Sequence, residues 1–342
     1  MKKLIVICYV ASLLCECMRE TPVQFQENNK NEIIEKEAKN INKAPVEPSP
    51  DTILFFVKKQ VERGLRVPGT PAHSITAQWI KNCLHTYGMD TFIQKGFSKN
   101  IRGSIVPVHN IIGVRKGKSD RAVLLGAHWD SRPADLIEGD KSRFQGAIDG
   151  ASGVATLLEL SRISKNSDNQ LTLIIVFFDA EDMGGGNQFT ISQSNELNGW
   201  CIGSRYFCEN FPPFLIKYEI IYAIVVDMVG APSPVFPLEE TSLNNAPALT
   251  SKIISIANEL GLSPPFITQK IGTIIDDHIP LTYTCKIPAA LIINYEPENR
   301  HFGFFHHNEN DNIENFSPVG CIATVKVLYA LITEPEKSGY TF

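Results

Sequence analysis

Apolar positions along this chain come in two patterns. Short, nearly continuous runs alternate with longer stretches in which apolar residues recur every three or four positions. Leu171 to Phe178, broken only by Thr172, is too short for a buried helix and reads as a buried strand. Asn110 to Val114, Ala122 to Ala127, Ile220 to Val226 and Ala289 to Ile293 read the same way. Between them lie helical patterns: Asp51, as N-cap, through about Arg63; Ser74 to Tyr87, stopping at Gly88; Gly150 to Ser164; Ala246 to Leu260; and Pro318 to Leu331. Strands that alternate with helices predict an α/β fold. The expected architecture is a single-domain three-layer α/β/α arrangement with a mostly parallel, mixed central sheet. The loops Arg132 to Ala147 and Gly184 to Gly199 are long for a compact domain and read as walls of a substrate pocket.

The N-terminal region departs from this pattern. Lys2-Lys3 precede an apolar stretch, Leu4 to Leu14, of signal-peptide length. Cys15 and Cys17 follow it, so residues 1–17 resemble a bacterial lipoprotein signal. The alternative is a cleaved secretory signal without lipid. Residues 18–50 are rich in Asn, Lys, Glu and then Pro, and read as a disordered tether. The catalytic domain is expected over 51–335. The expected location is outside the cytoplasm, periplasmic or anchored to a membrane as a lipoprotein.

Composition narrows the function classes. The 342 residues are 43% hydrophobic and 20% charged, ample for a large core. A net charge of -5 lacks the basic face of a nucleic-acid binder. No internal apolar run is long enough to span a membrane. Outside the signal the cysteines are Cys83, Cys201, Cys208, Cys285 and Cys321, with no CxxC spacing. That argues against a zinc-thiolate site and implies no disulfide framework, with Cys201 and Cys208 as a pair to consider.

The chemistry gathers where strands end. Phe177-Phe178-Asp179-Ala180-Glu181-Asp182 closes the central strand with two adjacent carboxylates. In open α/β sheets ligands sit at the carboxyl ends of the strands. Adjacent acids there can divide labour, one holding a metal and the other moving protons. Their candidate partners are His128, Asp130, Asp149, Asp227, Asp276-Asp277-His278 and His306-His307. Taken alone, Asp149 is better explained as a helix N-cap, and a lone His as a surface or satisfied core group. Convergence on strand ends changes this reading, because His, Asp and Glu are ligands that zinc accepts.

The order His128-x-Asp130, Asp149-Gly150, Glu181-Asp182, Asp227 and His307 resembles the zinc aminopeptidase family with an α/β core. Four segments are more similar to glutaminyl-peptide cyclotransferases within it. They are Ala127-His128-Trp129-Asp130-Ser131, Phe177 to Asp182, Asp227-Met228-Val229-Gly230-Ala231-Pro232 and Ile275-Asp276-Asp277-His278-Ile279-Pro280. The resemblance implies a zinc-exopeptidase-like fold with Asp149, Asp182 and His307 as zinc ligands. It makes Glu181 the general acid/base and Asp227 and Asp276 a hydrogen-bonded acidic pair. His128 becomes a second-metal or supporting residue, and Trp200, His306 and Trp129 become pocket candidates. His307-Asn308-Glu309-Asn310-Asp311 fits the family's run of a histidine, a short polar stretch and an Asp, so His307 is favoured over His306. Animal members carry Glu where Asp182 stands, and the disulfide they have beside the His-x-Asp motif is missing here, since Ala127 precedes His128.

The implied activity is cyclisation of an N-terminal glutamine to pyroglutamate with release of ammonia, on peptides or proteins. The implied cofactor is one Zn²⁺ per chain in a monomer. The attacking amine must be neutral, and its reference pKa of about 7.7–8.0 implies a neutral-to-alkaline optimum. The rival is a two-zinc aminopeptidase, for which His128, Asp149, Asp182, Asp227 and His307 supply all five ligand types. A non-catalytic exported binding protein is the third reading, against which the intact Glu181 argues.

Overall fold

The computed structural model describes residues 47–133, 144–185, 197 and 199–333. The expected signal, nearly all of the expected tether and parts of both long loops lie outside the described residues.

Two helices open the fold, α1 (Pro50–Val61) and α2 (Pro71–Thr86). Each starts with a proline in its first turn, where the missing N–H costs nothing. The cap of α1 is Ser49, whose hydroxyl accepts from Thr52 N at 3.2 Å, and not Asp51, which lies in the first turn. Strands β1 (Asp90–Lys99) and β2 (Ile105–Arg115) then form an antiparallel hairpin. After it come β3 (Arg121–His128), α3 (Ala151–Ile163), β4 (Thr172–Phe178), α4 (Ile202–Glu209) and β5 (Glu219–Asp227). The chain continues through β6 (Phe236–Glu239), α5 (Glu240–Asn245), α6 (Pro247–Glu259), β7 (Phe266–Ile271), α7 (His278–Tyr283), β8 (Ala289–Ile293) and α8 (Pro318–Thr333).

Six strands make one sheet in the order β1-β2-β4-β3-β5-β8, while β6 and β7 pair separately. Strands β4, β3, β5 and β8 are mutually parallel, and β1 and β2 are antiparallel, so the sheet is mixed and mostly parallel. Its two faces feed two cores. On β3, Val123, Leu125 and Ala127 join the core under α1, α2, α3, α6 and α8. Ala122 and Leu124 join the core under α4 and α7. Burial on both faces is why β3 and β4 read as continuous apolar runs. Strand β1 escapes the sequence reading because it is a half-exposed edge, alternating exposed and partly buried positions.

This topology creates a crevice. The chain leaving β3 passes to β4 on one side, and the chain leaving β5 passes toward β8 on the other. The carboxyl ends of β3 and β5 therefore flank a switch point, where α/β sheets place ligands. Helix α3 begins directly over it. Gly150 caps α3 with φ +89, and a Cβ there would lie 2.7 Å from Asp130 O and 2.9 Å from the His128 ring. Gly153 lets the first turn of α3 touch the ends of β3 and β5, since its Cβ would sit 2.6 Å from Val226 O. A larger residue at either position would push the helix off the site.

Cys208 on α4 is bonded to Cys285, just after α7, with Cα atoms 5.0 Å apart. That corrects the pairing considered for Cys201 and Cys208: Cys201 is a free, fully buried thiol. No helix among the described residues is long and apolar enough to cross a membrane.

Candidate active site

The turn after β4 carries the two central acids. Ala180 takes a left-handed conformation (φ 54), and Glu181–Met183 form one 3₁₀ turn. The strand end is held from behind by Asp179, whose carboxylate accepts from His109 N at 2.6 Å and lies 2.9 Å from His73 Nε2. In front, the Asp130 carboxylate accepts from Glu181 N at 3.1 Å and from Asp182 N at 3.2 Å. Arg132 donates to the carbonyls of Asp182 and Gly184 and lies over the Trp200 ring, 4.8 Å from its centroid. This turn is therefore immobilised on three sides before any ligand arrives.

The histidines come from elsewhere in the chain. His307, itself left-handed (φ 55), places Nε2 3.0 Å from Asp182 Oδ1 and 3.5 Å from Asp149 Oδ2. His306 stacks on it, centroids 3.7 Å apart, and Trp200 lies parallel to His307 at 5.7 Å. His128 Nε2 lies 2.9 Å from Asp149 Oδ1 and 3.1 Å from Asp227 Oδ1, and Nδ1 faces Asp130 at 3.4 Å. Asp149 is thus not a helix cap. Its side chain stands between His128 and His307, and the α3 N-terminus has no side-chain cap.

Two predicted partners make their side-chain contacts with other residues. His278 Nε2 points to the buried Glu239, 3.2 Å away. Asp277 accepts a hydrogen bond from Ser204 of α4. Trp129 is fully buried, stacked on His73 at 4.4 Å, and so packs behind the site and lines no pocket.

Electrostatics separate the adjacent acids. Burial, reinforced by the charge of Asp182, pushes Glu181 well above the ordinary carboxyl range. Burial acts on Asp182 too, yet His307, aided by His128 and Arg132, holds it below that range. Neighbouring acids with pKa values driven apart mark a proton carrier beside a permanent anion. Burial, with Asp182 and Asp227, pushes Asp149 up to about 6. Burial, with Asp227 and Asp277, raises Asp276 strongly. Burial opposes charge on His128, but Asp227, Asp130 and Asp149 outweigh it and raise the ring well above its usual value.

Three sets bring ligand atoms within 4.8 Å of one another: Asp149, His306 and His307; His128, Glu181 and Asp182; and His128, Asp149 and Asp227. All are imidazole and carboxylate groups, the donors of zinc sites closed or open to substrate. For bonds of about 2.0–2.1 Å, tetrahedral ligands stand roughly 3.3 Å apart. The 3.0 and 3.5 Å spacings around His307 match that.

Several contributors escape the sequence reading. Asp311 Oδ1 accepts from Ile148 N at 2.7 Å and holds the segment that carries Asp149. The buried Arg66 donates to the carbonyls of Trp129, Gln145 and Gly146. Arg132 lies beside the His-x-Asp motif, which could have flagged it. Arg66, 63 or more residues from its partners, has no local signal.

A mixed, mostly parallel sheet with a cluster of histidines and carboxylates at its switch point defines a zinc exopeptidase-like α/β protein. The chain belongs to peptidase family M28, whose model matches residues 110–332. Among solved structures it is similar to a Zn-dependent exopeptidase from Parabacteroides distasonis, with 32% identity and TM-score 0.78, covering 85% of this chain and 99% of that one. It is also similar to Porphyromonas gingivalis glutaminyl cyclase, with 34% identity and TM-score 0.75, covering 84% of this chain and 98% of that one. A Drosophila melanogaster glutaminyl-peptide cyclotransferase is 27% identical over 179 residues, which is 50% of this chain and 46% of the fly protein.

Proposed function

We propose that the chain is a glutaminyl-peptide cyclotransferase that converts N-terminal glutamine of peptides or proteins to pyroglutamate and ammonia. Likeness to glutaminyl cyclases along most of their length supports this reading. That likeness is the observation that carries the reading, and Asp227 is already engaged by the chain. Its Oδ1 already accepts from Met228 N at 2.7 Å and faces His128 Nε2 at 3.1 Å. Asp149, Asp182 and His307 are the residues proposed to hold one zinc, with His307 Nε2 3.5 Å from Asp149 and 3.0 Å from Asp182.

When bound, zinc supplies Lewis-acid polarisation of the substrate's γ-amide carbonyl. The chain's own residues do the rest. The site has to hold the glutamine side chain folded back on its α-amine, with Trp200, parallel to His307, as a candidate wall, so the nucleophile is intramolecular and the gain is one of orientation. The amine nitrogen bonds to the γ-carbon while Glu181 takes one of its protons. Glu181 then delivers a proton to the departing NH2, the C–N bond breaks, and ammonia leaves. Asp276, raised strongly by burial and by the charges of Asp227 and Asp277, is suited to bind the amine or the departing ammonia.

Mass spectrometry of a Gln-starting peptide, with elemental analysis of the protein, tests the assignment. The expected result is loss of one ammonia from the peptide and one zinc per fully active chain. Release of free glutamine by a chain holding two zincs would establish the aminopeptidase instead. Asp276→Asn keeps the size of the side chain and removes its proton exchange. Cyclisation should fall at least about tenfold with zinc retained, roughly 1.4 kcal/mol in barrier terms. An unimpaired variant rules out a role for Asp276.

A further inference from the structure

One buried thiol touches the group that carries the proton. Cys201 Sγ lies 3.3 Å from Glu181 Oε1, and the two residues are 0% and 7% exposed. Nothing in the catalytic scheme above uses this contact, yet the backbone is built to produce it. Ala180 (φ 54) and Cys201 (φ 56) are both left-handed, a conformation uncommon outside glycine. The two turns interlock: Cys201 N donates to Glu181 O at 3.0 Å, and Ile202 N donates to Ala180 O at 3.2 Å. Behind them α4 begins, with Arg205 N and the Ser204 hydroxyl both donating to Cys201 O. Gly203 presses α4 against the end of β4, since a Cβ there would lie 2.1 Å from Asp179 O. The backbone of Cys201 is thus held at both its N–H and its carbonyl, with the thiol fully buried against the carboxyl.

We propose that Cys201 is a positioning residue: its S–H donates to Glu181 Oε1 and fixes the carboxyl, leaving Oε2 to exchange the proton. The inference rests on the reading of Glu181 as the acid/base. A glutamate has three rotatable bonds, and a proton carrier must stay within hydrogen-bond reach of the reacting nitrogen. Small misplacements of such a group are costly in rate. Burial keeps the thiol in its protonated, donating form. It is a weak donor, so the effect expected is one of alignment and modest in size.

Cys201→Ala and Cys201→Ser in the full chain, with Glu181→Gln alongside, form the test. Serine and alanine differ by one hydroxyl, so any loosening from the smaller side chain moves both alike. Cys201→Ala should lower kcat about tenfold, with KM within about twofold and zinc content unchanged. Cys201→Ser should recover to within about threefold of the parent. An independent signature is the S–H stretching band of Cys201, assigned by its loss in Cys201→Ser, which should shift when Glu181→Gln is introduced in the metal-free protein. The proposal is overturned by a parental kcat in Cys201→Ala, by Cys201→Ser as slow as Cys201→Ala, by a loss confined to KM, or by an S–H band indifferent to Glu181. Near-parental turnover in Glu181→Gln would instead remove the acid/base reading beneath it.

Discussion

Glu181→Gln should stop turnover while zinc stays bound. The glutamine keeps the volume of the side chain and can still meet the Cys201 thiol, but it cannot take and return a proton. Glu181 lies outside the His307 grouping of ligand atoms, and burial with the adjacent Asp182 charge raises its pKa toward the working range. Removing a general acid/base typically costs about 10²–10⁴-fold. The check is the rate of ammonia release at saturating Gln-peptide, with zinc measured on the same sample. Activity within twofold of the parent would show that another group moves the proton.

His307→Ala should empty the metal site and lose activity with it. His307 Nε2 faces both Asp182 and Asp149, at 3.0 and 3.5 Å. Without it two buried carboxylates face each other with no cation between them, which is unfavourable in a low-dielectric site. Losing only a residue that supports a ligand typically weakens metal affinity 10- to 100-fold, so losing the ligand itself should weaken it by more than about 100-fold. Chelation of the parent protein should likewise abolish activity, and zinc should restore it there but not in His307→Ala. His306→Ala should keep its zinc. Burial and the neighbouring His307 hold His306 well below the usual imidazole value, and its ring stacks on His307, which makes the contact to Asp182. If His306→Ala loses zinc and His307→Ala does not, the ligand assignment moves by one residue.

Much of this site was legible beforehand because its pieces are local. The Glu181-Asp182 pair follows a seven-residue strand buried throughout, and any chain reading of apolar runs places it at a strand end. His128 and Asp227 follow from β3 and β5 in the same way. Other residues also had a competent local explanation that competed with a place in the site. Asp149 at the start of a helix looks like a cap until Gly150, left-handed and crowded by His128, turns its side chain toward the histidines. His278 stands in the most distinctive motif, yet the start of α7 aims it at Glu239. Trp129, inside the His-x-Asp motif, faces the core because neighbours on a strand alternate sides.

By itself the sequence determined the fold class, five of the six strands of the main sheet and the acids and histidine at their ends. Each depends on periodicity over a few residues, which backbone geometry sets directly. Only the tertiary structure decided who meets whom. It placed His307 on Asp182, 125 residues earlier, and bonded Cys208 to Cys285 across 77 residues in place of the nearby Cys201. It also laid the Cys201 thiol on Glu181. Such pairings depend on strand order and on how helices seat over the sheet ends, and they are settled by packing across the whole molecule. No window of sequence contains that information, because the contacts join segments that only the shared core brings together.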